Sequence, residues 1–186
     1  MHCTQVAAQL VLNMSVIIRD AVREDCVAIH GLIKELAQFE KFPDGVKTTH
    51  EELANHGFGP HVFFKCKVAE TAESKQVEPQ KKVVGYALYY LTYSTWEGPS
   101  MFLEDLYVTP AYRGKGTGAA LFRAVAKAAV QDKCARMMWC VLDWNKPAIN
   151  MYRKFGGYDI TEEEKWHMYR MNRDILQQVA DDQSVF

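Results

Sequence analysis

Arg113-Gly114-Lys115-Gly116-Thr117-Gly118-Ala119 joins two segments of opposite character. Before it, Met101-Phe102-Leu103-Glu104-Asp105-Leu106-Tyr107-Val108 is an apolar run that reads as a strand. After it, residues 118–132 carry helical spacing, with Leu121, Phe122, Val125, Ala128 and Ala129 on one face. A glycine-rich turn between a strand and a helix gathers backbone N–H groups at a helix N-terminus. Those donors and the helix dipole favour a phosphate or diphosphate. The glycines remove Cβ atoms that would keep a ligand from the backbone, and Arg113 and Lys115 add positive charge. An ordinary tight turn is the competing reading, so the flanking elements must decide.

Three phosphate loops compete. A P-loop fails because Gly116, not Ser or Thr, follows Gly114-Lys115, and Thr109 stands where the first glycine belongs. The dinucleotide fingerprint Gly-x-Gly-x-x-Gly/Ala matches at Gly114, Gly116 and Ala119, and Asp143 stands near the place of a ribose-binding acid. Against it, Thr109-Pro110-Ala111-Tyr112-Arg113 separates the glycines from the strand they should follow directly. The stretch from Arg113 to Gly118 resembles the Arg/Gln-x-x-Gly-x-Gly/Ala loop of the GNAT acetyltransferases, which cradles the diphosphate of coenzyme A. The preceding strand and the Val108-Thr109-Pro110-Ala111-Tyr112 approach resemble that family too.

Composition sets outer bounds. The chain has 186 residues, 48% of them hydrophobic, enough for one cored domain and short for two. A formal net charge of −1 gives no global basic field to suggest nucleic acid. Cys3, Cys26, Cys66, Cys134 and Cys140 are odd in number and irregular in spacing, which predicts reduced thiols in a cytoplasmic protein rather than a disulfide framework. No metal-ligand spacing appears among the cysteines or histidines, so no metal is expected. No apolar run approaches the roughly 20 residues needed to span a bilayer, so no membrane partner is expected. Residues 1–13 read as an extension outside the functional part. Their apolar run is short and no basic residue precedes it, unlike a signal peptide, and no Arg precedes Arg19, unlike a mitochondrial presequence.

Periodicity predicts strands at 16–21, 62–70, 83–93, 101–108, 137–142 and 166–171. It predicts helices at 25–39, 49–56 and 118–132, and a fourth opening at Asn145 and stopping at Gly156-Gly157. Val27, Ile29, Leu32, Ile33, Leu36 and Phe39 share the broad apolar face of the first helix. Short links between the second, third and fourth strands predict an antiparallel meander. The continuously apolar 137–142 run between two helices predicts burial on both sides and a parallel neighbour. Residues 73–82 read as a hairpin loop.

That order is that of the GNAT fold: α/β (α+β), one domain over residues 14–176, with a mixed, mostly antiparallel sheet flanked by helices and a 177–186 tail. The resemblance extends further. Ile33-Lys34-Glu35-Leu36-Ala37, Gly57-Phe58-Gly59, Leu103-Glu104-Asp105, Trp144-Asn145 and Glu164-Lys165-Trp166 look like the diamine acetyltransferases, the spermidine/spermine N1-acetyltransferase family with its thialysine-preferring paralogue. Val141-Leu142-Asp143-Trp144-Asn145 and Tyr93-Ser94-Thr95-Trp96 look closer to the paralogue, and Lys165 departs from a family glycine.

The resemblance implies acetyl-CoA as cosubstrate, a homodimer, and a small polyamine such as spermidine or spermine as acceptor. Thialysine or a similar lysine-like amine is the alternative. A non-catalytic CoA-binding module is the rival outside the enzyme class, and retention of Tyr152 and Glu104 speaks against it. Cofactor contacts carry over to Leu106, Tyr107 and Val108, to Arg113, Gly114, Lys115, Gly116, Thr117, Gly118 and Ala119, and to Asn145, Lys146, Pro147 and Ala148. An alkylamine with a pKa near ~10.4 is almost wholly charged at neutral pH, so a base must take its proton. The resemblance makes Glu104 that acceptor-proximal carboxylate; partnering a basic side chain is its structural alternative. Strand alternation points Asp105 to the opposite face. In Asn150-Met151-Tyr152-Arg153-Lys154-Phe155-Gly156, the resemblance makes Tyr152 the acid that meets the departing thiolate, against the alternative of a core aromatic. Phe39, Glu40 and Glu164 are implied to line the acceptor site; Glu162 and Glu163 read as solvated surface.

Overall fold

The computed structural model describes residues 16–71 and 81–181. The 1–13 extension, most of the 73–82 loop and the end of the 177–186 tail lie outside the described residues. The chain divides into two compact units, 1–142 and 143–186.

The first unit holds β1 (Val16–Asp20), α1 (Cys26–Phe39), α2 (His50–Phe58), β2 (Lys65–Thr71), β3 (Val83–Ser94), β4 (Gly98–Val108), α3 (Thr117–Gln131) and β5 (Arg136–Trp139). The sheet runs β1-β2-β3-β4-β5; the first three pairings are antiparallel and β4–β5 is parallel. This is the mixed sheet with flanking helices of the GNAT fold.

Local chemistry explains the helix boundaries. Thr49 and Glu52 form a reciprocal capping box at the start of α2: Glu52 N donates to Thr49 Oγ1 at 3.2 Å, and Thr49 N to Glu52 Oε2 at 2.9 Å. At the start of α1, Arg19 of β1 donates to both Asp25 oxygens (2.7 and 2.9 Å) and to Glu70 of β2 (2.7 Å), which ties the helix to two strands. One sheet face packs Cys26, Ile29 and Leu32 of α1 and Leu53 and Ala54 of α2 on Val68, Tyr86, Leu88 and Tyr107. Val27, expected on that face, is exposed; Cys26 takes the first position instead. Gly85 is one residue from Tyr86 and so faces the other way. A Cβ there would sit 2.8 Å from Tyr107 O and 3.3 Å from Leu121 Cδ1, so the glycine permits the close approach of α3 on the second face. The predicted inner face of α3 is buried in full: Leu121, Phe122, Val125, Ala128 and Ala129.

β5 has the predicted parallel neighbour but not the predicted burial. Met137, Met138 and Trp139 are only half-buried and Arg136 is exposed. Among the described residues β5 is an edge strand with one partner, which leaves its outer side uncovered.

The second unit holds α4 (Lys146–Lys154), α5 (Ile160–Glu164) and α6 (Arg173–Ala180). The predicted strand at 166–171 does not form. A strand needs a partner to satisfy its ladder, and this unit contains no other strand among the described residues. The apolar residues of that segment, Trp166, Met168, Tyr169 and Met171, are exposed. Helix α6 was not anticipated and crosses the expected domain boundary at 176; α5 was not anticipated either, and it carries Glu162 and Glu163, both exposed. No helix of the described residues is long and apolar enough to cross a membrane.

Candidate active site

The central feature is a break in the β3–β4 ladder. Leu88 pairs with Asp105 and Tyr89 with Leu103, so Glu104 is an extra residue on β4 without a cross-strand partner. Tyr86, Leu88 and Tyr90 share one face of β3. From that face Tyr86 Oη donates to Asp105 Oδ2 at 2.8 Å, and Tyr90 Oη donates to Glu104 Oε2 at 2.9 Å. Both carboxylates are therefore held from the same side. The opposite orientation expected from alternation is corrected by the bulge, which inserts one residue and cancels the alternation there.

The same break coincides with the end of β5. Its pairing with β4 covers only Ser100 to Leu103. From Glu104 to Val108 no described strand pairs with that side of β4, so its backbone edge is open along the predicted cofactor positions Leu106, Tyr107 and Val108. Tyr107 is buried and its hydroxyl donates to Glu35 Oε2 of α1 at 3.1 Å.

Glu40 joins this acidic group from the C-terminal end of α1. Burial pushes its carboxyl above the usual range, and the nearby charge of Asp105 adds to the shift. Asp105 is itself pushed up, first by burial and then by Glu104, against the stabilising bond from Tyr86. Burial, then the Glu104 carboxylate, pushes Tyr90 up to about 12. The Cys140 thiol is also raised, by burial and by Glu104. Glu40, Glu104 and Asp105 thus form one cluster within the first unit. Sequence reasoning assigned no role to Asp105, Tyr86, Tyr90 or Cys140. The Tyr-x-x-x-Tyr spacing in β3 was visible, but only the pairing register shows what it meets.

A 3-10 turn at Pro110–Tyr112 joins the open edge of β4 to the glycine loop. Gly114 and Gly116 have φ of +72° and +86°, and nothing lies within 4 Å of a Cβ built on either. Gly116 is the N-cap of α3 and supplies no side-chain cap. The first amides of the helix, from Thr117, Gly118 and Ala119, are accordingly without intrahelical acceptors. Thr117 Oγ1 donates to Tyr112 O at 3.3 Å rather than capping. Both basic side chains are exposed, and each makes a contact within the chain. Arg113 Nε donates to Val108 O at 2.7 Å, and its guanidinium lies over the rings of Phe39 (5.0 Å) and Tyr107 (5.1 Å). Lys115 Nζ donates to Ala111 O at 3.1 Å. Phe39, predicted to line the acceptor site, is thereby brought onto the first residue of the glycine loop.

The second unit carries the remaining predicted residues. Asn145 caps α4, accepting from Ala148 N at 3.4 Å, with Pro147 in the first turn as expected. Tyr152 is the buried residue of α4, and burial pushes its phenol up to about 12. Glu164 ends α5 and is exposed. Lys165 follows it with φ +61°, the left-handed conformation that glycine adopts without cost. The departure from the family glycine therefore leaves the turn in place and loads its strain on a lysine. No group of acidic, His or Cys side chains among the described residues could hold a metal ion. The four described cysteines are free thiols.

Thialysine N-epsilon-acetyltransferase of Sus scrofa is 44% identical over 167 residues, 89% of this chain and 98% of that protein. Spermidine/spermine N(1)-acetyltransferase-like protein 1 of Homo sapiens is 40% identical over 163 residues, 88% of this chain but 23% of that longer one. Among solved structures, an integron cassette protein from the mobile metagenome of V. cholerae superposes with a TM-score of 0.68 at 28% identity, covering 91% of this chain and 100% of that one. A family model for the acetyltransferase (GNAT) family matches residues 27–157, and the chain belongs to that family.

Proposed function

We propose that this protein transfers an acetyl group from acetyl-CoA to the terminal primary amine of a lysine-like amino acid such as thialysine. The observation that carries this is the carboxylate cluster of Glu40, Glu104 and Asp105, set at the bulge where the open edge of β4 begins. Such a cluster selects a cation and supplies a proton acceptor. The similarity to the thialysine acetyltransferase of Sus scrofa supports choosing a lysine-like amine as that cation.

The residues fit the cosubstrate. Open space at Gly116 and the uncapped amides of Thr117, Gly118 and Ala119 suit a diphosphate. The free edge at Leu106, Tyr107 and Val108 suits an extended amide-bearing arm, paired as though it were an added strand. Asn145, Lys146, Pro147 and Ala148 are the cofactor positions of the second unit. When bound, acetyl-CoA supplies an activated acyl group. Glu104 accepts the proton that the ammonium loses, directly or through a water, and the neutral amine is then competent to attack. Tyr152, held protonated by burial, donates its phenolic proton to the departing thiolate and regains one from solvent. Glu40 and Asp105 hold the second cationic group of the acceptor, and Phe39 lines it. The homodimer and the cytoplasmic setting belong to the same proposal, supported by the exposed apolar side chains of 166–171 and by the free thiols.

Polyamine acetylation is the second reading. It is favoured by the same three carboxylates, because a spermidine has charge to place on each. Measured kcat/KM for thialysine, spermidine and a simple monoamine separates the two. Thialysine should lead. A wide lead for spermidine would replace the first reading by the second, and acetyl-CoA binding without turnover of any amine would leave only a CoA-binding module.

A further inference from the structure

We infer that Tyr90 is the positioning residue for Glu104: its hydroxyl pins one carboxylate oxygen so that the other faces the acceptor amine. This rests on the role proposed above for Glu104. As the extra residue of the bulge, Glu104 has no cross-strand neighbour to fix its direction. It is also exposed, so burial does not hold its rotamer. The contact that orients it is the 2.9 Å bond from Tyr90 Oη to Oε2. Tyr90 can serve as such an anchor because its own ring is fixed. It stacks on Phe102 of the adjacent strand, with centroids 5.5 Å apart and planes 25° from parallel. It also lies in the regular part of β3, directly opposite Phe102 in the ladder.

The consequence is a division of labour between the two carboxylate oxygens. Oε2 accepts from the phenol in every turnover and stays put. Oε1 carries no other hydrogen-bond donor among the described residues and is the atom that takes the amine proton. The phenol does not exchange its proton in the step; it holds the acceptor atom in line. Tyr86 does the same for Asp105 one residue along, at 2.8 Å, so the two tyrosines set the spacing of the two charges.

The test is a double-mutant cycle on turnover with saturating acetyl-CoA and thialysine, or spermidine should that be the faster acceptor. Wild type, Tyr90→Phe, Glu104→Gln and the double variant are compared, with Tm and the acetyl-CoA Kd measured for each. Tyr90→Phe keeps the ring and its stack on Phe102. Expected is a fall in kcat of roughly 10- to 100-fold from a base displaced by an ångström or so, with Tm and acetyl-CoA Kd unchanged. In the Glu104→Gln background the same change should alter kcat by less than about two-fold, because the group it positions no longer takes a proton. Wild-type kcat in Tyr90→Phe, alongside a large loss in Glu104→Gln, overturns the role of Tyr90 alone. Equal losses in both backgrounds also overturn it, since they mark a general packing effect. Wild-type kcat in Glu104→Gln overturns the base itself, and the role of Tyr90 with it.

Discussion

Gly116→Ala separates what the loop does for the fold from what it does for the ligand. The residue has φ +86°, and a Cβ on it meets nothing within 4 Å. Its stability cost is therefore backbone strain without a clash. An alanine forced into the left-handed region costs roughly 1–2 kcal/mol, which for a chain of this size lowers Tm by about 2–8 °C. Gly98 provides a matched control. It has φ +92°, is equally unobstructed, and opens β4 at the far end of the hairpin from the loop. Gly98→Ala should lose the same few degrees. The two variants should part in acetyl-CoA binding. The open space at Gly116 is where a diphosphate would approach the amides of Thr117 to Ala119, and a methyl group there holds it away. Loss of one charge-assisted contact is worth roughly 1.5–3 kcal/mol, or about a 10- to 150-fold rise in Kd. Thermal unfolding and calorimetric titration with acetyl-CoA measure both quantities. A Kd for Gly116→Ala within two-fold of that for Gly98→Ala, approximately wild type, would refute the placement of the diphosphate on this loop.

Two further outcomes follow from the site. Tyr152→Phe removes only the hydroxyl, so kcat should fall by about 10²–10⁴-fold with the acetyl-CoA Kd unchanged; wild-type kcat under conditions where chemistry is rate-limiting would exclude Tyr152 as the acid. Asp105→Asn keeps an acceptor for Tyr86 and removes a charge whose pKa is raised in the folded protein, mainly by burial. A raised carboxyl binds protons more readily folded than unfolded, so its cost to stability is absent below the ordinary value of 3.8 and grows as pH rises through the folded pKa. Thermal unfolding should therefore show a gain for the variant that is near zero at about pH 4 and appears as pH rises to neutral, while KM for the amine rises. A gain of the same size at both pH values would remove the charge from the explanation.

The local pattern was enough for most elements, because each is written in neighbouring residues. Helical spacing located α1 and α3, Thr49 and Asn145 marked helix starts by their capping chemistry, and the glycine loop announced itself between a strand and a helix. Short links between alternating segments gave the antiparallel meander, and the apolar 137–142 run gave the parallel neighbour. The misses share a cause. Whether 166–171 forms a strand, or β5 is covered on its outer side, depends on which partner is present, and no periodicity within a segment carries that information.

The same divide runs through the site. The sequence by itself determined the candidates, through the glycine loop at 113–119 and the family resemblance that points to Glu104, Glu40 and Tyr152. Only the tertiary structure decided how they face. Glu104 and Asp105 are neighbours that alternation would send to opposite sides, yet a one-residue offset between β3 and β4 brings both under tyrosines on a single face. That offset is a property of the pairing of two strands, in which Leu88 meets Asp105 and Tyr89 meets Leu103. Arg113, likewise, reads as a cation of the loop, but its guanidinium lies over the rings of Phe39, far from it in sequence, and of Tyr107. Residue identity is local, whereas the direction of a side chain is fixed by partners that only the folded chain assembles.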